Sequence, residues 1–143
     1  MLQKKLNALL ANYEVMFHKL QTYHWYVGGA TFYVDHEKLE LFFEQALQNV
    51  DLIAEKILML GGKPLATMRD MLDQATIGEA SDQDVSQEAA FQSVRDDFKV
   101  LLADVVDLKK LADDEDNYLI SAFADTLIEQ LYKDLWMLGQ VLA

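Results

Sequence analysis

Five side chains in the first half of this 143-residue chain have the types and spacing of a transition-metal site: His24, His36, Glu40, Asp51 and Glu55. Imidazole nitrogens mixed with carboxylate oxygens suit iron(II), manganese or zinc, and the hard carboxylates favour iron once it is oxidised. Glu40 follows His36 by one helical turn and Glu55 follows Asp51 by the same step, so each pair shares a helix face. His24 comes within a few ångströms of His36 if the residues between them, Gly28 and Gly29 included, fold back as a turn. The two halves of the set cannot meet inside one copy. His36 and Asp51 are fifteen residues apart in a stretch of helical periodicity, which at about 1.5 Å per residue separates them by about 22 Å along the axis. Two copies of that helix running antiparallel about a dyad remove the difficulty, because a single register then sets His36 opposite Glu55 and Glu40 opposite Asp51.

Several alternatives are excluded by what the chain lacks. With no cysteine there is no disulfide, iron–sulfur cluster or thiolate zinc site, which leaves His, Asp and Glu as the strong ligands. None of the three histidines has a glutamate three residues before it, so the paired Glu-x-x-His motif of an intrachain di-iron bundle is absent. His18 has no comparable set around it and reads as structural. A formal charge of −12 opposes binding to phosphate backbones and suits a cationic partner. Although 52% of residues are hydrophobic, 25% are charged and no apolar run approaches the eighteen or so of a membrane span. The first residues are periodic and lack a cleavage site for a secretory signal, so a soluble, cytoplasmic protein is expected.

The elements that must position these ligands are helices. Leu6, Leu9, Leu10, Tyr13, Phe17, Leu20 and His24 follow the three-to-four spacing of an amphipathic helix over about residues 3–27, ended by Gly28 and Gly29. Asp35 is the expected N-cap of a second helix that stops at Gly61 and Gly62, with Pro64 just beyond. The connection that follows carries a short helix, MRDMLDQA, and Ser81 or Asp82 is expected to open a third long helix, which runs to about Ala112. The acidic run Asp113 to Asp116 separates it from a last helix, about Asn117 to Leu142. No strand patterns occur. These elements describe a single all-α domain over 1–143, a four-helix bundle whose one long crossover gives the ferritin-like arrangement. The second helix has an apolar arc of about 160°, wider than the stripe of about 100° that suffices for a bundle interior, so a second face is expected to pack against another subunit.

YHWYVGGATFYVDHEKLE over 23–40, the spaced Asp51 and Glu55, LGGKPLATM over 60–68 and LWML over 135–138 together resemble the Dps family, the ferritin-like "DNA-binding protein from starved cells" mini-ferritins. The resemblance covers nearly the whole chain and is weakest in the third long helix. It implies a homododecameric hollow shell that oxidises iron(II) at two-fold interfaces, preferentially with hydrogen peroxide, and stores the iron(III) as mineral. By position it implies His24, His36 and Glu40 from one subunit, with Asp51 and Glu55 from its mate. Trp25 and Trp136 would stand near the site and could donate an electron to a stray radical, although both read equally as large core or interface residues. Zinc or manganese would compete for the same ligands.

Three positions depart from the family's pattern. The acidic cluster lies where the family places negative entry pores, yet the usual threonine and aspartate pattern beside it is missing, and Asp134 stands where many relatives have histidine. Only Lys4 and Lys5 lie near the start and no basic tail is evident, so direct DNA binding is disfavoured. A nucleoid-compacting protein with secondary iron handling is the rival reading, and a bundle that has lost its metal chemistry is disfavoured by the intact ligand set.

Overall fold

The computed structural model describes residues 1–143. Five helices, α1 (Leu2–Tyr26), α2 (Phe32–Met59), α3 (Met68–Gln74), α4 (Gln87–Asp114) and α5 (Tyr118–Val141), account for most of it, with two-residue strands β1 (Val27–Gly28) and β2 (Val85–Ser86). None of the helices is long and apolar enough to cross a membrane. Each boundary has a local cause. Gly29 takes φ 125° and Gly61 φ 77°, conformations that side chains resist. At the end of α2, Gly61 N–H donates to Leu58 O and Gly62 N–H to Ile57 O, satisfying two carbonyls the helix leaves unpaired. Ser86 and Asn117 accept from the backbone N–H of Ala89 and Ile120, capping α4 and α5.

Polar pairs between helices fix how the helices run. Asn12 reaches Asp104 at 2.9 Å, Lys19 reaches Asp97 at 2.7 Å and Tyr23 donates to Ser93 at 2.8 Å. Every step up α1 is matched by an equal step down α4, so the two are antiparallel in one register. The Phe17–Phe43 and His24–His36 ring contacts make α2 antiparallel to α1 in the same way. Gln45 donates to Asp134 at 3.0 Å and Asn49 to Gln130 at 2.7 Å, while Lys56 lies 4.9 Å from the Phe123 ring, which sets α5 antiparallel to α2. Since α2 and α4 both oppose α1, they are parallel to each other. The chain must therefore travel back along the bundle between them, and residues 60–86 are that crossover. Between the helices lies a core that includes Leu6, Leu10, Leu20, Leu39, Ile53 and Leu101, all fully buried.

The expected four-helix bundle with a short helix in its crossover is what forms, and four local expectations are corrected. Helix α2 starts a turn earlier than Asp35: its N-cap is Thr31, and Asp35, with no exposed surface, instead accepts from Thr31 Oγ1 and from Gln87 Nε2, each at 2.7 Å. Helix α4 opens at Gln87 rather than Ser81 or Asp82, because residues 85–86 are held extended in a parallel bridge to Val27 and Gly28. That bridge was not expected, since two residues carry no periodicity. The acidic run does not all lie outside helix: Asp113 and Asp114 finish α4 and only Asp116, at φ 53°, breaks the path.

The middle of the crossover hangs on one side chain. Asn12 Oδ1 accepts from the backbone N–H of Thr76 at 2.8 Å and of Ile77 at 3.1 Å, and its amide donates to Asp104. Asn12→Leu is expected to destabilise the fold by about 2–4 kcal/mol, because it strands a buried N–H and a carboxylate at once. Denaturant midpoints check this, and a change within about 0.5 kcal/mol would mean the crossover is held elsewhere.

Burial raises the carboxyl of Asp134 above the ordinary carboxylate value, against the opposing Gln45 hydrogen bond and the Lys38 and Lys133 charges. The folded chain then keeps a proton that the unfolded chain has released. Stability therefore falls as pH rises from the unfolded carboxylate value, about 3.9, through the higher folded one, and stays lower above it. Asp134→Asn keeps an acceptor for Gln45 and is expected to raise the unfolding temperature at pH 7 by about 2–6 °C. The gain should vanish in acid below the unfolded value, and an equal gain at every pH would contradict the charge-burial account.

Candidate metal centre

The end of α1 and the start of α2 meet at the two histidines. Their rings stack with centroids 3.6 Å apart and planes 16° from parallel. His24 Nδ1 lies 2.7 Å from the backbone oxygen of His36, and His36 Nδ1 lies 2.7 Å from the backbone oxygen of His24. A carbonyl oxygen only accepts, so both Nδ1 atoms must carry the proton, which leaves both Nε2 lone pairs free. This is the outer-shell arrangement that orients a ligating imidazole and fixes its tautomer. Phe32 stacks on His36 at 5.0 Å and Phe43 meets His24 edge-on at 5.1 Å, closing the sides of the pair.

Glu40 joins them, its Oε1 4.0 Å from His24 Nε2, with the carboxylate exposed. Asp51 and Glu55 do not join them. Both are exposed farther along α2, and no three His, Asp or Glu side chains of one copy converge closely enough to hold an ion. The structure thus brings His24 against His36, with Glu40 at the edge of the pair beside His24, and separates Asp51 and Glu55 from them, as the helical spacing requires. Leu47 and Leu58 lie on the same side of α2 as these carboxylates and are 50% and 58% exposed, so the far edge of the broad apolar arc is uncovered in a single chain. The rest of the arc is engaged: Leu39, Phe42, Ala46, Ile53 and Ile57 are buried and Phe43, Val50 and Ala54 are partly so.

Trp25, the residue after His24, is 58% exposed and its indole meets the His18 ring at a steep angle rather than either paired imidazole, and Trp136 is also exposed. In the acidic cluster, Asp113 accepts from Ser121, and Lys109 bridges Ser121 to Asp125 at 3.0 Å, so part of that charge is neutralised between α4 and α5. Sequence reasoning missed Phe32, Phe43, Asp35 and Gln87 as supports of the histidines. Phe32 and Phe43 lie one turn before and two turns after His36, a signal that was available. Gln87, from another helix, gave none.

The ferritin-like domain family matches residues 3–143. General stress protein 20U of Bacillus subtilis is 35% identical over 93% of this chain and 91% of its own length. DNA protection during starvation protein 2 of Bacillus anthracis is 34% identical over 93% and 90%. A crystal structure of a Dps protein from Vibrio cholerae O1, described as a member of a broad superfamily of ferritin-like diiron-carboxylate proteins, superposes with a TM-score of 0.96 at 32% identity, covering 99% of this chain and 89% of that one.

The reciprocal carbonyl contacts lead to a spectroscopic expectation for the metal-free protein near neutral pH. Nitrogen-15 imidazole spectra should show His24 and His36 protonated at Nδ1 and bare at Nε2. Protonation at Nε2 on either ring would show that the paired contacts do not set the tautomer.

Proposed function

The chain belongs to the Dps branch of the ferritin-like family, and on that premise we propose that it is an intracellular ferroxidase and iron store whose catalytic centres are shared between two copies. His24, His36 and Glu40 of one copy bind iron(II), and Asp51 and Glu55 of a second copy complete the set across a dyad. The observation that carries this reading is the histidine pair locked by each other's backbone, with both Nε2 atoms free and Glu40 beside one of them. Such a half-site is already in its ligating state and lacks only further carboxylates, which the exposed stretch of α2 offers to a partner. The exposed Leu47 and Leu58 supply the apolar contact that such a pairing needs.

Iron(II) and hydrogen peroxide are the substrates. Two iron(II) ions give up one electron each, and the peroxide with two protons becomes two waters, so no hydroxyl radical leaves. Carboxylates favour the oxidised ion, and the imidazoles bind only when neutral, which weakens the chemistry in acid. Trp25, exposed and next to His24 in the chain, would reduce a stray oxidant. The iron(III) product is stored as mineral inside a hollow homododecamer of single-domain subunits, in the cytoplasm, with zinc and manganese as competing ions. The names of the relatives speak of DNA protection and general stress. Removing iron(II) and peroxide protects DNA without contact, and a charge of −12 opposes contact with its phosphates. Duplex compaction is therefore the second reading.

Mixing two inactive variants tests the sharing of the site. Asp51→Asn and His36→Ala assemblies should each lose rapid peroxide-dependent iron(II) oxidation. Co-refolded in equal amounts, they should recover about a quarter of the parent rate, because in an isologous interface a quarter of randomly formed sites draw an intact half from each variant. No recovery in mixed assemblies shown to contain both variants would refute the shared centre.

A further inference from the structure

A second cluster of metal-binding atoms lies away from the paired histidines and uses different chemistry. His18 and Glu14, one turn apart on α1, face Met68 and Met71 of α3 and Glu79 of the crossover around a cavity of about 140 Å³. Met68 and Met71 are three residues apart in α3, so both thioethers fall on the helix face turned to α1. Helix α3 itself is anchored at its start by Thr67, which accepts from the backbone N–H of Asp70 at 3.2 Å. Unlike His24 and His36, His18 spends neither ring nitrogen on a hydrogen bond within the chain, and its ring is flanked by Trp25 at 6.4 Å. Met71 is buried and contributes to the core, but Met68 is 60% exposed, so packing does not account for a second thioether at this cavity.

We propose that His18, Met68 and Met71 form a binding site for copper(I). The carboxylates and the imidazole do not by themselves converge to hold an ion. A ligand set here must include the thioethers, and thioether sulfur selects soft copper(I) over iron(II), zinc or manganese. Glu14 and Glu79 at the wall supply negative charge that balances the cation. The site is separate from the iron half-site: His18 precedes His24 by six residues, about 9 Å along the helix.

The test uses the assembled protein, free of iron, under anaerobic reducing conditions, titrated with copper(I) against the chromophoric chelator bicinchoninate. One copper(I) per chain should be withheld from the chelator, with sulfur scattering in its X-ray absorption spectrum. Met68→Leu/Met71→Leu conserves volume, and His18→Gln alters an exposed residue. Each should weaken retention at least about tenfold, the effect of losing a ligand or its support, and leave peroxide-dependent iron oxidation unchanged. No retention, retention indifferent to these variants, or a spectrum with only nitrogen and oxygen neighbours would overturn the proposal. So would loss of copper from His24→Ala/His36→Ala with His18→Gln unaffected, since that would place the ion at the iron site.

Discussion

The fold depends on the register of α1, which is set by polar groups that cannot be left alone in the interior. Lys19 is buried and is paired with Asp97, and the carboxamide of Asn12 is buried and is paired with Asp104. A slip of α4 by one turn would separate both pairs inside the bundle, and a buried charge without its partner is destabilising by about 3–5 kcal/mol. Burial raises the carboxyls of Asp97 and Asp104 even with those partners present, so ionising them costs more in the fold than in the unfolded chain. Their contribution is to the uniqueness of the packing more than to its depth. Leucines alone would not fix it: the apolar positions repeat every turn, and a bundle shifted by a turn buries nearly the same surface.

With α1 so fixed, the remainder follows by geometry. The turn at Gly28 and Gly29 brings α2 back against α1, and a parallel bridge from Val27 and Gly28 to Val85 and Ser86 ties that turn to the end of the crossover. Gln87, the first residue of α4, then reaches both Thr31 and Asp35 at the start of α2. His36 is the next residue after Asp35, so the imidazole is held by a backbone that three separate parts of the chain converge to fix.

Most of the bundle was legible in the sequence because its signals repeat over many residues: four long apolar periods, glycines at the ends of α1 and α2, and a connection too long for a simple turn. The meeting of His24 with His36 and the separation of Asp51 from both were legible for the same reason, since helical rise is the same in every helix. What could not be read depends on single contacts. Asp35 has the residue type of a cap, but the aromatic Phe32 finds a partner in His36, and Thr31 and Gln87 satisfy its carboxylate one turn inside the helix. The start of α4 was misplaced because Ser81 and Asp82 offer the same chemistry as Ser86, and only pairing with β1 decides between them. The clasp between the two imidazoles and two backbone oxygens leaves no trace in the sequence, because every residue has a carbonyl.

Acid bears differently on the carboxyls that burial raises and on the imidazoles proposed to ligate metal. Asp97, Asp104 and Asp134 sit on α4 and α5, turned toward α1 and α2, and burial raises the carboxyl of each. Lowering the pH therefore relieves buried charge at Asp104 and Asp134, whereas at Asp97 it leaves the buried Lys19 ammonium without its partner. The proposed half-site would need both Nε2 atoms unprotonated, so metal binding there would weaken in acid. One set of groups belongs to the scaffold and the other to the site, and they share no hydrogen bond. The electrostatics that position the proposed half-site are thus separate from those by which it would ligate.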